Sequence, residues 1–293
     1  MALPLWAVFG FLGASLSAAQ MLTQEKLKAA PFPMAFWCKV VCAVVMAPFV
    51  VLHGLPSNPF YYALLAAQSL LWVVSDVIFY RGINASGAAV IARVIPIATI
   101  VSFFLWFAVD PHLALAYIAT PVRSAVIVAV LCLLALFAWR LKDCKVTTQA
   151  LRTVWFVLFA SIVGSVSTKY ITMQADIGQG VYAYVFVEAV IMIAMWLAYY
   201  AVKRPVPPRA MFGGAAIKAG FGVGLPAAFA IAATVYAVYN VDNPAYVSAV
   251  RYLDSVLILL AYRAMGRPAT GRIWAGLGVV ACAAALIVLK SGN

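Results

Sequence analysis

The chain has 293 residues, of which 67% are hydrophobic and only 10% are charged. About a quarter of the residues of a typical soluble domain are charged, so this composition excludes an ordinary soluble domain. The net charge of +12 does not indicate a nucleic-acid partner. Most of the excess lies in connections, where positive charge sets the orientation of a membrane protein.

Apolar runs of about 20 residues recur along the whole chain, and each can cross a hydrocarbon layer roughly 30 Å thick. Helices are favoured, because lipid forces each segment to satisfy its own backbone hydrogen bonds. The sequence therefore predicts an all-α integral membrane protein with about ten transmembrane helices. In chain order the predicted spans are 3–23, 33–52, 60–80, 86–108, 121–140, 152–173, 179–202, 216–239, 244–263 and 270–290. Short connections with proline separate them, among them the one at Asp110–Pro111.

The most basic long connection, WRLKDCKVTTQALR, lies near the midpoint of the chain. It divides one membrane domain into two predicted five-helix repeats, residues 1–145 and 146–293. The first spans of the two halves, 3–23 and 152–173, share an aromatic start, a Gly/Ser middle and a late glutamine. Because each half has an odd number of crossings, the second half would insert upside down. Such inverted repeats are typical of secondary transporters, whose binding site lies at the repeat interface.

The positive charges are distributed unevenly between the connections. Lysine and arginine cluster in the connections after the odd-numbered spans, whereas those after the second, fourth, sixth and eighth spans contain none. By the positive-inside rule, the odd-numbered connections are cytoplasmic. We therefore expect a multi-pass protein of the cell (inner) membrane with both termini outside.

Two stretches in different halves resemble each other, NASGAAVIARVIPIATIVSFFLW and DNPAYVSAVRYLDSVLILLAYR. Their alignment places Arg93 on Arg251. An arginine at the centre of a membrane helix costs about 2.5–3.5 kcal/mol on insertion scales, so a functional reason is expected. We predict that both line one central polar pocket and bind a carboxylate or phosphate bidentately. The alternative for Arg251 is an ion pair with Asp254, three residues further on.

Three segments carry a family resemblance: AVIARVIPIATIVSFFLWF, SAVRYLDSVLILLAYRAMGRP and GRIWAGLGVVACAAALIVL. In them the chain resembles the drug/metabolite transporter superfamily, in its ten-helix EamA-like branch. The resemblance implies a ten-helix fold of inverted repeats and a transport function. The chain departs from the family at Asp254, which stands where the first half has Pro96, and at Arg267, where an acidic residue is common. Family members are usually drawn with cytoplasmic termini, opposite to the orientation that the connections predict.

Further substrate contacts are predicted around these arginines. Lys169 follows the SVST run of its span and could reach the pocket, or it could extend to the nearer membrane surface. Aromatic residues lie near the polar positions and could stack on a planar ligand, although residues of this kind also form interfacial belts. The remaining predicted substrate-binding residues are Trp72, Tyr80, Tyr252 and Asn84.

Glu188, in the middle of the span 179–202, is the leading candidate for proton coupling. Apolar surroundings favour the neutral form of a carboxyl group, so it could load and release a proton within the membrane. The alternative is a structural partner for Lys169 or for an arginine. Asp76 and Asp254 are further coupling candidates.

Several polar and proline residues of the spans have simpler interpretations. Asp76 could cap its helix or pair with Arg81, and Lys39 is expected to extend to the membrane surface. Pro96 and Pro226 interrupt the backbone hydrogen bonds of their spans and are predicted hinges.

The run KAGFGVG at residues 218–224 superficially resembles a phosphate-binding loop. No strand precedes it, which the phosphate-loop motif requires. Small residues of this kind favour the close packing of membrane helices.

We therefore expect a secondary transporter that moves a small anionic or zwitterionic metabolite, an amino acid or organic acid, by alternating access, with Glu188 as the candidate for proton coupling. The alternatives are a flippase for a lipid-linked phosphate or sugar and a membrane scaffold subunit without transport. Enzyme signatures such as HExxH and GxSxG are absent from the sequence. No cofactor or metal is expected. The expected partners are a small-molecule substrate and the lipid bilayer, with no nucleic acid, and the protein is expected to be a monomer or homodimer.

Overall fold

The computed structural model describes residues 3–88, 96–141, 148–266 and 272–291. We number the helices in chain order among these residues. They are α1 Leu5–Leu27, α2 Pro31–His53, α3 Pro59–Ser86, α4 Pro96–Val109, α5 Pro111–Ala119, α6 Pro121–Arg140, α7 Thr148–Thr172, α8 Ile177–Lys203, α9 Pro208–Phe212, α10 Gly214–Tyr239, α11 Ala245–Arg251, α12 Leu253–Ala264 and α13 Ile273–Ser291.

The predicted class of an all-α, multi-pass integral membrane protein is confirmed, since the described residues form helices and no strands. The division into two inverted repeats stays a prediction. Nine helical stretches in the described ranges are long and apolar enough to cross a membrane, and the bent pair formed by α4 and α5 could be a tenth. The prolines between the predicted spans begin helices, for example Pro31, Pro59 and Pro121. Proline suits the first helical turn, because its missing N–H would have no partner there.

One predicted connection is wrong. Asp110–Pro111, predicted as a plain connection, begins the short helix α5, where the Asp110 carboxylate accepts a hydrogen bond from Leu113 N at 3.1 Å. This helix turns by 109° from the direction of α4. The ninth predicted span, 244–263, is found as Ala245–Ala264, with a local interruption at Tyr252 between α11 and α12.

The helices of the two halves of the chain pack against each other. Helix α1 packs on α10, and α7 packs on α3. Helix α2 contacts α8 and α10, while α8 also contacts α3. Helix α1 further contacts α11 and α12, and α7 contacts α4. Helices α6 and α13 pack on one another. Most contacts that shape the centre of the molecule therefore join different halves.

Glycines in α10 allow its close approach to α2. A methyl group on Gly220 would lie 2.3 Å from Trp37 Cβ, and one on Gly224 would lie 2.8 Å from Val41 Cβ. Only a residue without a side chain fits at these distances. The packing interpretation of the run at 218–224 agrees with this contact.

Candidate functional site

A central cavity of about 270 Å³ lies between helices of both halves of the chain. Its wall combines aromatic and aliphatic residues with many hydroxyl groups and five charged side chains. The charged residues are Lys39, Asp76, Glu188, Arg251 and Asp254. The hydroxyl-bearing serines and threonines are Ser17, Ser75, Thr99, Ser102, Ser161, Ser165, Thr168, Thr234 and Ser248.

Lys39 is the centre of a buried cluster of charges. Its Nζ lies 2.9 Å from Glu188 Oε2 and 3.8 Å from Asp76 Oδ2. The side chains of Lys39 and Glu188 are 6% and 4% exposed, whereas that of Asp76 is 23% exposed. The predicted extension of Lys39 to the membrane surface is therefore wrong. Two carboxylates from other helices stabilise its ammonium group inside the protein, so it has no need to reach water.

The same cluster decides between alternatives for the acidic residues. Glu188 pairs with Lys39 rather than with Lys169 or an arginine. The cation nearest to Asp76 in the described contacts is likewise Lys39, while Arg81 is exposed. Glu188 and Asp76 are therefore both in the cavity wall, but only Glu188 has a short, direct hydrogen bond to a cation.

Arg251, the last residue of α11, points its guanidinium group towards the cavity wall formed with α1. One terminal nitrogen makes a long hydrogen bond of 3.5 Å to Ser17 Oγ. Its Nε is buried and has no hydrogen-bond partner in the described residues. The alternative ion pair with Asp254 is not formed within 4 Å, and Asp254 instead accepts a hydrogen bond from Ser255 Oγ at 3.1 Å. Arg251 thus keeps donor capacity for a ligand.

Residues of opposite charge lie on either side of the interruption between α11 and α12. Arg251 lies in the last turn of α11, and Asp254 lies in the first turn of α12. Tyr252 keeps helical backbone angles (φ −66°, ψ −9°), so the break is a local interruption within one span. Between them, the Tyr252 hydroxyl contacts the Thr99 hydroxyl of α4. The broken span is thereby attached to α4 beside the cavity.

Arg93, the other predicted ligand for an acid group, lies outside the described residues. Its place in the pocket stays a prediction. The predicted hinge Pro96 is the first residue of α4 as described, and Pro226 lies inside α10, which continues through it.

Three predicted aromatic contacts are in the cavity wall: Trp72, Tyr80 and Tyr252. The Tyr80 hydroxyl accepts from Gln20 Nε2 at 2.9 Å and donates to Cys38 Sγ at 3.3 Å.

The ring of Trp72 lies against Gly164 of α7. A methyl group there would come within 2.3 Å of Trp72 Cζ2. Gly164 therefore determines how far the indole ring extends into the cavity.

Two predicted substrate-binding residues lie outside this lining. Lys169 Nζ donates to the carbonyl oxygen of Tyr239 at 3.0 Å, at the end of α10. Asn84 accepts from Gln24 Nε2 at 2.9 Å and donates to Ala29 O at 2.8 Å. In this conformation, the hydrogen bonds of both residues join the ends of neighbouring helices.

Sequence reasoning missed Lys39, Gly164 and the hydroxyl-rich face of α7. A signal for that face was present, because Ser161, Ser165 and Thr168 follow one another at helical spacing on one side. For Lys39 the sequence shows no such signal, since its partners are on other helices.

Comparison of the chain with models of known protein families, and with curated proteins, finds no match. The fold and the cavity define a multi-pass helical membrane protein. The family resemblance therefore depends on the segments quoted above.

Proposed function

We propose that the protein is a secondary transporter for a small anionic or zwitterionic metabolite of the amino acid or organic acid class. We further propose that it is a ten-helix, EamA-like member of the drug/metabolite transporter superfamily. The observation that carries the proposal is the unpartnered, buried Nε of Arg251 in the wall of a central cavity.

A buried donor without a partner is unfavourable by about 1–3 kcal/mol, and more when the group is charged. A ligand with a carboxylate would satisfy two guanidinium nitrogens at once, because the planar fork matches the carboxylate geometry. The hydroxyl groups of the cavity wall would bind further polar groups of the same ligand. The buried Nε of Arg251, which has no partner among the described residues, is thus best explained by a bound acid group.

The packing pattern supports alternating access by two related halves. If each helix is replaced by its counterpart in the other half, the pair α1–α10 becomes α7–α3. In the same way α2–α10 becomes α8–α3, and α1–α11 becomes α7–α4. All six of these pairs are in contact. This correspondence is expected of an inverted repeat.

The scaffold alternative predicts a different interior. In a scaffold, the buried charges would neutralise one another and no cavity would be needed. Here Lys39 and Glu188 do pair, but Arg251 and Asp254 face an open volume. This difference favours transport.

The distribution of positive charge among the connections supports one orientation and location. We propose that the protein resides in the cell (inner) membrane with both termini outside, because lysine and arginine cluster in the connections after the odd-numbered spans. Green fluorescent protein folds poorly after export, so fluorescence from a C-terminal fusion would contradict this orientation.

Uptake into proteoliposomes tests the function. A panel of radiolabelled amino acids and organic acids is assayed with the wild type, Arg251→Ala and Arg251→Lys, and exposed Arg81→Ala is the matched control. Loss of charge-assisted hydrogen bonds worth about 1.5–3 kcal/mol reduces the uptake efficiency of Arg251→Ala by roughly 10- to 150-fold. Arg251→Lys keeps the charge but loses the fork, so its KM rises. Wild-type uptake by Arg251→Ala would refute the assignment of this residue, and a wild type that transports none of the panel would refute the substrate class.

A further inference from the structure

Lys39 joins two carboxylates that belong to different halves of the chain. Asp76 on α3 comes from the same half as Lys39 on α2, whereas Glu188 on α8 comes from the other half. Lys39 is hydrogen-bonded to Glu188 at 2.9 Å and lies 3.8 Å from Asp76. The ammonium group therefore has one partner across the interface of the halves and one within its own half.

The cluster has one carboxylate more than it has cations. An uncompensated charge inside a protein is strongly unfavourable, and an acidic group in that position binds a proton or a cation instead. Glu188 is neutralised directly by Lys39. The excess negative charge consequently belongs to Asp76, which is the most exposed of the three side chains and faces the cavity.

We propose that Asp76 is the carboxylate that binds the coupling proton, and that its protonation controls the Lys39–Glu188 bridge between the halves. This inference rests on the transport function proposed above and assigns the coupling step to a residue of the same cavity.

Protonation of Asp76 affects the Lys39–Glu188 bridge because both carboxylates compete for the ammonium group of Lys39. When Asp76 carries a proton taken from cavity water, Lys39 has a single anionic partner and holds α2 against α8, as in this structure. When the proton returns to water, Asp76 attracts the ammonium group from within its own half. The bridge to Glu188 weakens, and α2 and α8 are free to separate. Binding and release of one proton are thereby linked to movement of the halves.

Other groups around Asp76 do not supply the missing positive charge. Helix α2 presents a thiol beside Lys39, α8 presents Glu188, and α3 itself presents a phenol. In the described wall, α1 and α7 contribute only uncharged residues, and α11 and α12 contribute one charge of each sign. The ionisable groups that face Asp76 or share its cavity are Lys39, Cys38, Glu188, Tyr184, Tyr80, Tyr252, Arg251 and Asp254.

Infrared difference spectroscopy tests the proton site without a substrate. Purified protein in lipid is titrated from alkaline to acidic buffer, and the carbonyl stretch of a protonated carboxyl group is followed. We expect this band in the wild type, its loss in Asp76→Asn, and its retention in Asp254→Asn as the matched control. Retention of the band in Asp76→Asn with loss in Glu188→Gln would make Glu188 the proton site and overturn the proposal.

Pulsed electron paramagnetic resonance tests the bridge. Spin labels on Ala30→Cys and Val202→Cys report the distance between the adjacent ends of α2 and α8, which Phe32 and Tyr199 join by a ring contact of 5.8 Å. Both labelled positions are exposed. In the background, Cys132 and Cys144 are replaced by serine, and the buried cysteines are kept.

We expect the distance in the wild type to lengthen as the pH rises, and to stay short at every pH in Asp76→Asn. Lys39→Met, which has no bridge, should lose the pH response. A pH response that persists in Asp76→Asn, or a wild type without one, would refute the proposal. If the panel is transported but these responses are absent, the inference fails and the transport function stands. If the responses are present but no compound is transported, the transport function fails instead.

Discussion

The packing of α10 against α2 allows a quantitative test at Gly220. In Gly220→Ala the new methyl carbon would lie 2.3 Å from Trp37 Cβ and 3.1 Å from its carbonyl carbon. Carbon atoms in favourable contact are roughly 3.5–4.0 Å apart, so the two helices must separate locally by about 1 Å or more. Rotation of the Trp37 side chain cannot relieve the clash, because the Cβ and the backbone are themselves in the way.

Overpacking of this kind typically reduces the free energy of unfolding by about 1–3 kcal/mol. We expect Gly220→Ala to lie in the upper part of this range, because separation at this point also weakens the contacts beside Gly224. Titration with sodium dodecyl sulfate in mixed micelles, followed by tryptophan fluorescence, measures the loss.

Gly222 is the matched control within the same run. A methyl group there would meet Thr23 Cγ2 at 3.5 Å, an ordinary contact. Gly222→Ala should therefore change the free energy of unfolding by no more than about 0.5 kcal/mol. If Gly220→Ala is as stable as Gly222→Ala, the close approach of α2 and α10 does not exist as described.

Three further changes test other contacts. Lys39→Met leaves Glu188 without its cation and should lower the free energy of unfolding by about 3–5 kcal/mol. In the same detergent titration, the added change Glu188→Gln should restore most of this loss. If Lys39→Met is as stable as the wild type, the pair is not buried as described. Gly164→Ala should push the ring of Trp72 into the cavity and abolish uptake of the largest transported compounds, while smaller compounds are still taken up. The added change Trp72→Ala should restore uptake of the large compounds. An unchanged size limit in Gly164→Ala would show that the Trp72 ring does not determine that limit. Asn243→Ala removes a hydrogen bond to a carbonyl oxygen of α4 at 3.2 Å and one from Ala245 N at 3.0 Å. It should therefore lower the free energy of unfolding by about 1–3 kcal/mol. An unchanged melting temperature would show that these two hydrogen bonds do not stabilise the fold.

Hydropathy and proline placement predicted the fold class, because each span is specified by its own residues. The exceptions have local causes. The Asp110 carboxylate caps a short helix in a segment that hydropathy alone predicts to be a connection. The interruption at Tyr252 is not predictable from the sequence, because no proline or glycine lies at that position.

The candidate site was less predictable, because it depends on contacts between spans distant in sequence. The depth of Arg251 within an apolar run was sufficient to place it in a polar interior. Lys39 was misjudged, since its partner Glu188 is 149 residues away and no pattern on α2 indicates it. Lys169 has a similar sequence context, yet it contacts a helix end. Depth within a span therefore predicts that a charge needs a partner, but not which partner it finds.

The start of α11 is anchored to α4 by Asn243, which is completely buried and donates to Phe103 O. Arg251 is the last residue of the helix that this joint anchors. If the two halves rotate against each other as proposed, a ligand bound to Arg251 therefore stays close to α4. The contact between Lys39 and Glu188 joins two other helices, α2 and α8, and can open while the joint at Asn243 stays closed.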